Sequence, residues 1–302
     1  GCNCCILYNK IIYSKMNLKF YTPMVAGLLM LSACSQSASN GNNEDSGTTE
    51  GISNFEVKQT VKTLERTYAC KGASAVFDDS IPVFSVVRMA VQWPDKMGDC
   101  NIKVLQDSLL TMMFDDPAIN IDESMVRAGE NPEGADLFTM QPVDSLPAEG
   151  AMVYMRDMIS SVVTFSSQYV VYEVMTSVYD GGAHGLTNSR YLTYDFGKGR
   201  VIDANVMFRP DSEDALLKAI KSELMADNGV STLKELDAKG FFSDQIYVSH
   251  NVYLQGYDVV FHYNPYEIAP YSEGSVDVRI PFYEISDQLT PEVLNIFNTT
   301  DF

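Results

Sequence analysis

The sequence predicts an α+β fold, a mainly antiparallel sheet with helices packed against it. Three observations carry this expectation. Stretches rich in Val, Tyr, Thr and Phe recur between turns built from Gly and Pro. Segments with helical spacing of Leu, Ile and Met are scattered among them without the strict alternation of a wound parallel sheet. The 302 residues are 46% hydrophobic and 20% charged, enough to bury one large or two small cores and incompatible with wholesale disorder.

The elements follow in order. A first strand is expected over 55–68, with Phe55, Val57, Gln59, Val61 and Thr63 along one face. A second covers 82–93, where Val83, Ser85, Val87, Met89 and Val91 alternate, and Pro94 ends it for want of an N–H. Ile102, Leu105, Leu109, Met112 and Met113 then recur at helical spacing, predicting a helix around 101–114. Residues 115–150 hold Pro117, Pro132, Pro142 and Pro147 and many acids. They read as an irregular or partly helical insert and as the hinge between subregions.

A short helix is expected over 152–159. Strands follow over 162–178 and 186–196, with Gly181-Gly182-Ala183-His184-Gly185 between them. Gly197-Lys198-Gly199-Arg200 forms a tight turn into Val201-Ile202. The clearest helix is 211–226: Leu216, Leu217, Ile220 and Leu224 line one face, and Asp211 or Ser212 stands ready to cap it. A shorter helix over 232–239 and closing strands at 252–255, 258–263 and 275–281 complete the pattern. The expected division is a small N-terminal α/β subdomain at 54–160 and a larger C-terminal one at 161–302.

The amino-terminal residues predict the compartment. A short basic segment from Met16 precedes the apolar run 25–33, which is too short to span a bilayer at ~20 residues and reads as a signal-peptide core. It ends in Leu31-Ser32-Ala33-Cys34, which resembles the bacterial lipobox and implies cleavage before Cys34 and lipidation of its thiol. Residues 1–33 are thus expected to be leader, with 1–15 upstream of the true start, and 34–53 a flexible tether. The expected location is the cell envelope, held to the outer membrane through Cys34, on the periplasmic side. Removing Lys10, Lys15 and Lys19 leaves 18 basic against 40 acidic residues, a charge of −22. Such acidity disfavours nucleic acid, whose backbone is bound by Lys and Arg. In an oxidising compartment the remaining pair, Cys70 and Cys100, is expected to form a disulfide. Closing that loop would contribute ~3–4 kcal/mol.

Two segments carry a family resemblance. One is Val178-Tyr179-Asp180-Gly181-Gly182-Ala183-His184-Gly185 with Arg190-Tyr191-Leu192-Thr193-Tyr194-Asp195-Phe196. The other runs from Phe261-His262-Tyr263-Asn264-Pro265-Tyr266-Glu267 to Pro270-Tyr271 and closes on Val278-Arg279-Ile280-Pro281. In this order they resemble the RsiV/PdaC-like extracytoplasmic domain, over about 160–290, with 55–115 similar to the smaller subdomain before it. The resemblance implies an α+β domain, found in an anti-sigma factor that binds lysozyme, ahead of a polysaccharide deacetylase, and in stand-alone lipoproteins. Neither a cytoplasmic anti-sigma segment nor a deacetylase domain is seen here, so those activities are not implied.

The chemistry of the two segments points to His184, Tyr266, Glu267 and Tyr271. The glycines around His184 permit sharp turns and close backbone approach. The loop 264–274 is long for a hairpin and stiffened by Pro265 and Pro270. Packing of the two segments would bring His184 to Glu267 or a tyrosine hydroxyl. Two readings stand: a latch of the fold, or a ligand-facing ledge. His184, His262 and Glu267 lack the close spacing of metal ligands, and no metal or cofactor is expected. No nucleophile elbow, P-loop or zinc-protease motif occurs. The expected function is therefore non-enzymatic binding of a protein or glycan partner, with a lysozyme-like cationic protein as the first candidate; a peptidoglycan-binding module is the alternative, and a hydrolase with a hidden carboxylate pair such as Asp78-Asp79 or Asp115-Asp116 is the third reading.

Overall fold

The computed structural model describes residues 56–73, 80–117, 119–131, 139–147 and 149–299. The expected leader, Cys34 with its tether, and one candidate carboxylate pair, Asp78-Asp79, lie outside them. Ten strands and six α-helices are described in chain order: β1 (Val57–Lys71), β2 (Val83–Met97), α1 (Lys103–Phe114), α2 (Ile121–Glu130), β3 (Thr139–Pro142), β4 (Met152–Phe165), β5 (Tyr169–Tyr179), β6 (Leu186–Asp195), β7 (Arg200–Ile202), α3 (Ala204–Met207), α4 (Glu213–Asp227), α5 (Leu233–Ala238), β8 (Val252–Gln255), β9 (Asp258–Tyr263), β10 (Val276–Pro281) and α6 (Pro291–Thr299). A seven-stranded sheet runs β3-β1-β2-β4-β5-β6-β7, and a three-stranded one runs β10-β9-β8. All pairings are antiparallel except β2 with β4. The fold is α+β, as the sequence predicts.

The large sheet is buried on both faces along the first half of β5. Its side chains alternate between two cores. Val170, Tyr172 and Val174 join Leu105, Leu109 and Met125 beneath α1 and α2. Tyr169 and Val171 join Leu216, Ile220, Phe261 and Ile280 on the side of the small sheet and α4. A strand covered on both faces reads as a nearly unbroken apolar run, as Tyr169-Val170-Val171-Tyr172 does. Buried Tyr172 keeps its hydroxyl satisfied by accepting from Gln59 Nε2 at 2.8 Å, and Gln92 Oε1 accepts from Val162 N at 3.0 Å.

Several expectations are corrected. The stretch 152–159 is not a helix: it opens β4, which pairs with β2 on one side and β5 on the other. Two neighbouring strands outweigh the helical preference of its methionines. Residues 162–178 are two strands, because Ser166 Oγ accepts from Gln168 N and Tyr169 N and turns the chain. Pro94 does not stop β2; a register shift opposite Lys58 and Gln59 absorbs it, and the strand continues to Met97. The insert 115–150 is partly helical as expected, through α2, started by Asn120 accepting from Glu123 N, but it also supplies a strand, β3. The boundary at 160/161 falls inside β4, within a continuous sheet. Ser212 precedes α4 but makes no side-chain cap; its hydroxyl donates to Arg209 O instead. Helix α6, with Pro291 at its first turn and Val293, Ile296 and Phe297 buried, was not expected.

The disulfide is also corrected: Cys70 and Cys100 are free. Ala69 pairs with Phe84 at one end of the β1–β2 hairpin, and Val57 pairs with Met97 at the other. Cys70 and Cys100 flank those opposite ends, roughly 40 Å apart at ~3.3 Å per residue. A bridge needs Cα atoms within about 7 Å. Cys70 packs with Val83, and Cys100 Sγ lies 3.9 Å from Phe196 O. Burial pushes both thiols up.

Candidate functional site

The two segments of the family resemblance meet at the β5–β6 turn. Gly181 and Gly182 take φ values of 82° and 94°, and a Cβ on Gly185 would lie 2.7 Å from Val178 O. This turn lifts His184 to the surface. Its ring stacks on Tyr271, with centroids 3.8 Å apart and planes 14° from parallel. Tyr266 lies 5.8 Å from Tyr271, tilted by 31°. The three rings form an aromatic ledge contributed by two distant parts of the chain.

The loop that supplies the two tyrosines is firmly rooted. Ile268 and Ala269 are buried in the core, and Ile268 O accepts from Phe242 N at 2.8 Å. Glu267 N donates to Asn264 O at 3.2 Å, closing the turn Asn264-Pro265-Tyr266-Glu267. Tyr266 sits at its third position with φ 73°. Such a turn, with Pro second and positive φ third, ordinarily calls for Gly or Asn there. A tyrosine in the left-handed region carries backbone strain of ~1–2 kcal/mol, and its side chain is 51% exposed, so burial does not compensate.

Glu267 plays a different part from the one expected. Its Oε2 accepts from Asn264 N at 3.0 Å and from the Tyr247 hydroxyl at 3.0 Å. Burial, then the Glu267 carboxylate, holds the Tyr247 hydroxyl up at about 12. His184 contacts Gly185 O through Nδ1 at 3.0 Å and reaches its partner loop by stacking on Tyr271. Of the four residues, His184, Tyr266 and Tyr271 form the ledge, and Glu267 ties down the loop behind it.

Beneath the ledge lies a polar network that sequence reasoning missed. The half of β6 beyond β7 presents an open edge, and asparagines flanking β8 and β9 cover it. Asn251 accepts from Tyr191 N at 2.9 Å and donates to Ser189 O at 2.7 Å, replacing a strand. Asn264 Oδ1 accepts from Ser189 N at 2.7 Å and lies 3.3 Å from His262 Nε2. His262 Nδ1 lies 2.7 Å from Asp277 Oδ1. Glu173 Oε1 accepts from Ser189 Oγ and the Tyr191 hydroxyl at 2.7 and 3.0 Å. Tyr191 stacks on Tyr253 at 4.1 Å. Burial, reinforced by Glu173, pushes the Tyr191 hydroxyl far above its ordinary range. One signal was legible: His262 interrupts the buried run Val259–Tyr263, and a polar residue there needs partners.

The network is wired for structure. Both ring nitrogens of His262 face Asp277 and Asn264, and Ser249 Oγ donates to the backbone oxygen of His262, not to its ring. Among the described residues, no three His, Cys, Asp or Glu side chains are grouped to hold a metal ion. His184, His262 and Glu267 are thus not a cluster. No helix among those residues is long and apolar enough to cross a membrane.

A family model described as a protein of unknown function, DUF3298, matches residues 206–283. The match contains Tyr266, Glu267 and Tyr271 and leaves His184 outside. A crystal structure of a DUF3298 family member from Bacteroides fragilis superimposes with a TM-score of 0.60 at 21% identity, covering 80% of this chain and 96% of that one. One from Pseudomonas aeruginosa gives 0.51 at 16% identity, covering 78% and 96%. These likenesses establish a shared fold. No curated protein matches.

Proposed function

We propose that the protein is a non-enzymatic, lipid-anchored component of the cell envelope that binds a cationic protein partner through the ledge of His184, Tyr266 and Tyr271. The observation that carries this reading is Tyr266. An exposed aromatic side chain held at positive φ, where glycine would relieve the strain, is retained at a cost to the fold, and such outliers cluster at functional positions. Tyrosine is also a favoured anchor at protein interfaces. A net charge of −19 steers a basic partner toward the surface. The resemblance of the two segments to RsiV-like domains makes a lysozyme-like muramidase the partner to try first. Cys34 supplies the proposed anchor and the periplasm the proposed location.

The test is titration calorimetry with hen-type lysozyme at low and high salt, for the wild type and for Tyr266→Ala combined with Tyr271→Ala. Binding that weakens with salt, as screening over a Debye length of ~10 Å at 0.1 M requires, and at least tenfold with the double variant, supports the reading. No binding at low salt overturns the lysozyme assignment. Sedimentation with peptidoglycan that depends on the same tyrosines would transfer the ledge to the glycan.

A further inference from the structure

On the opposite side of the sheet, a cavity of about 650 Å3 opens between the floor formed by β2, β4 and β5 and the walls formed by α1 and α2. That volume falls in the ~300–1,000 Å3 range of small-molecule sites. Strand pairing sets the order of its floor. One cross-strand row is Val87, Arg156 and Val178; the next, toward the helices, is Met89, Met158 and Thr176. Val87 and Met89 face the core under α1 and α2, so alternate residues of their strands share that face.

The two rows differ in chemistry. The inner row, with Met113 above it, is a methionine-lined apolar slot, adaptable in shape. The outer row carries Arg156, its side chain 15% exposed, with Nη1 2.6 Å from Asp180 Oδ1. Asp180 is half exposed and leads into the turn that bears His184. Arg88 and Asp157, the neighbours in the pleat, pair with each other at 2.7 Å. Deeper in the wall, Ser124 is 4% exposed, and its Oγ has no hydrogen-bond partner among the described residues. A buried hydroxyl without a partner is uncommon and asks for an explanation.

We propose that this cleft binds a small apolar carboxylate that carries a hydroxyl at its far end. The chain of the ligand lies in the methionine slot. Its carboxylate takes the Arg156 guanidinium in a charge-assisted pair, competing with Asp180. Its hydroxyl meets Ser124 Oγ. This site is separate from the ledge and does not rest on the function assigned to it.

The experiment is calorimetry of the full chain with decanoate, 10-hydroxydecanoate, decanol and acetate. The expected order is 10-hydroxydecanoate tightest, then decanoate, with decanol at least tenfold weaker than decanoate and acetate without measurable binding, all at one site per chain. Asp180→Asn, a change at an exposed position, removes the competing carboxylate and is expected to tighten decanoate several-fold. Ser124→Ala is expected to erase the advantage of 10-hydroxydecanoate and leave decanoate unchanged. Equal affinity for decanol and decanoate, more than one site per chain, no decanoate binding at millimolar concentration, or an Asp180→Asn variant that binds decanoate no better would each overturn the proposal.

Discussion

His184 and His262 sit in the two segments that the sequence singles out, and they are held in opposite ways. His262 is 3% exposed, within 2.7 Å of Asp277 Oδ1 and 3.3 Å of Asn264 Oδ1. His184 is exposed, makes its one side-chain hydrogen bond to the oxygen of the next residue, and is placed by a stacked tyrosine. One histidine is enclosed by Asp277, Asn264 and Ser249. The other could be removed without orphaning a buried group. The difference separates a fold-building latch from a presented surface, although both occur in the same pair of motifs. The buried latch is built by Asn251, Asn264, His262 and Asp277, and none of its hydrogen bonds uses the rings of His184, Tyr266 or Tyr271.

The largest effect that follows from the enclosed side is alkaline unfolding. Burial pushes the hydroxyls of Tyr169, Tyr172, Tyr191, Tyr253 and Tyr263 well above the ordinary tyrosine value near 10. A folded-state pKa raised above the unfolded one contributes stability that is complete below the unfolded value and is lost as pH rises through and beyond it. Denaturant midpoints should therefore hold steady below pH ~10 and fall steeply above it. Ultraviolet titration of the native protein should show these five hydroxyls ionising only with unfolding. Smooth titration of all tyrosines near pH 10 would contradict the enclosed core.

Removing a strut of the latch comes next. Asn251→Ala strips partners from Tyr191 N and Ser189 O at once, and losing two hydrogen bonds from buried backbone costs ~2–4 kcal/mol. His184→Ala should change stability by less than ~0.5 kcal/mol. Urea midpoints of the two variants measure the contrast directly. Comparable losses from both would mean that the ledge is itself part of the latch.

How far this contrast was legible depends on the kind of interaction. Strand β9 and the closing hairpin follow from local pattern, and so does the helix around Leu216, Ile220 and Leu224. The meeting of His184 with Tyr271 was within reach because two unusual loops, one rich in glycine and one in proline, each lacked a local reason. Residue-to-residue wiring was not. Asn251 and Glu173 look like ordinary loop and strand residues, and their roles arise from strand order, which places the open edge of β6 against the small sheet. The disulfide failed for a related reason: even cysteine count says nothing of which end of a 15-residue strand each thiol occupies.

Tyr266→Gly tests the ledge from the other direction, with an effect of opposite sign. Glycine accepts φ 73° without the Cβ clash, so the variant should gain ~1 kcal/mol of stability while losing affinity for the ledge's partner. Thermal melts and calorimetry on the same preparation give both numbers. A variant that gains stability and keeps full affinity would leave the strain at Tyr266 without a binding role.

The smallest effect is a predicted absence. With Cys70 and Cys100 at opposite ends of the β1–β2 hairpin, reductant has no bond to break. A bridge worth ~3–4 kcal/mol would show as a melting shift of roughly 6–16 °C at ~2–4 °C per kcal/mol for a domain of this size. The described fold leaves no geometry in which those two sulfurs meet, so the melting temperature should be the same with and without dithiothreitol. Both thiols should also react with a maleimide after unfolding without prior reduction. A reductant-dependent shift would require β1 and β2 to pair differently, and with them the register that places the helices α1 and α2 over the sheet.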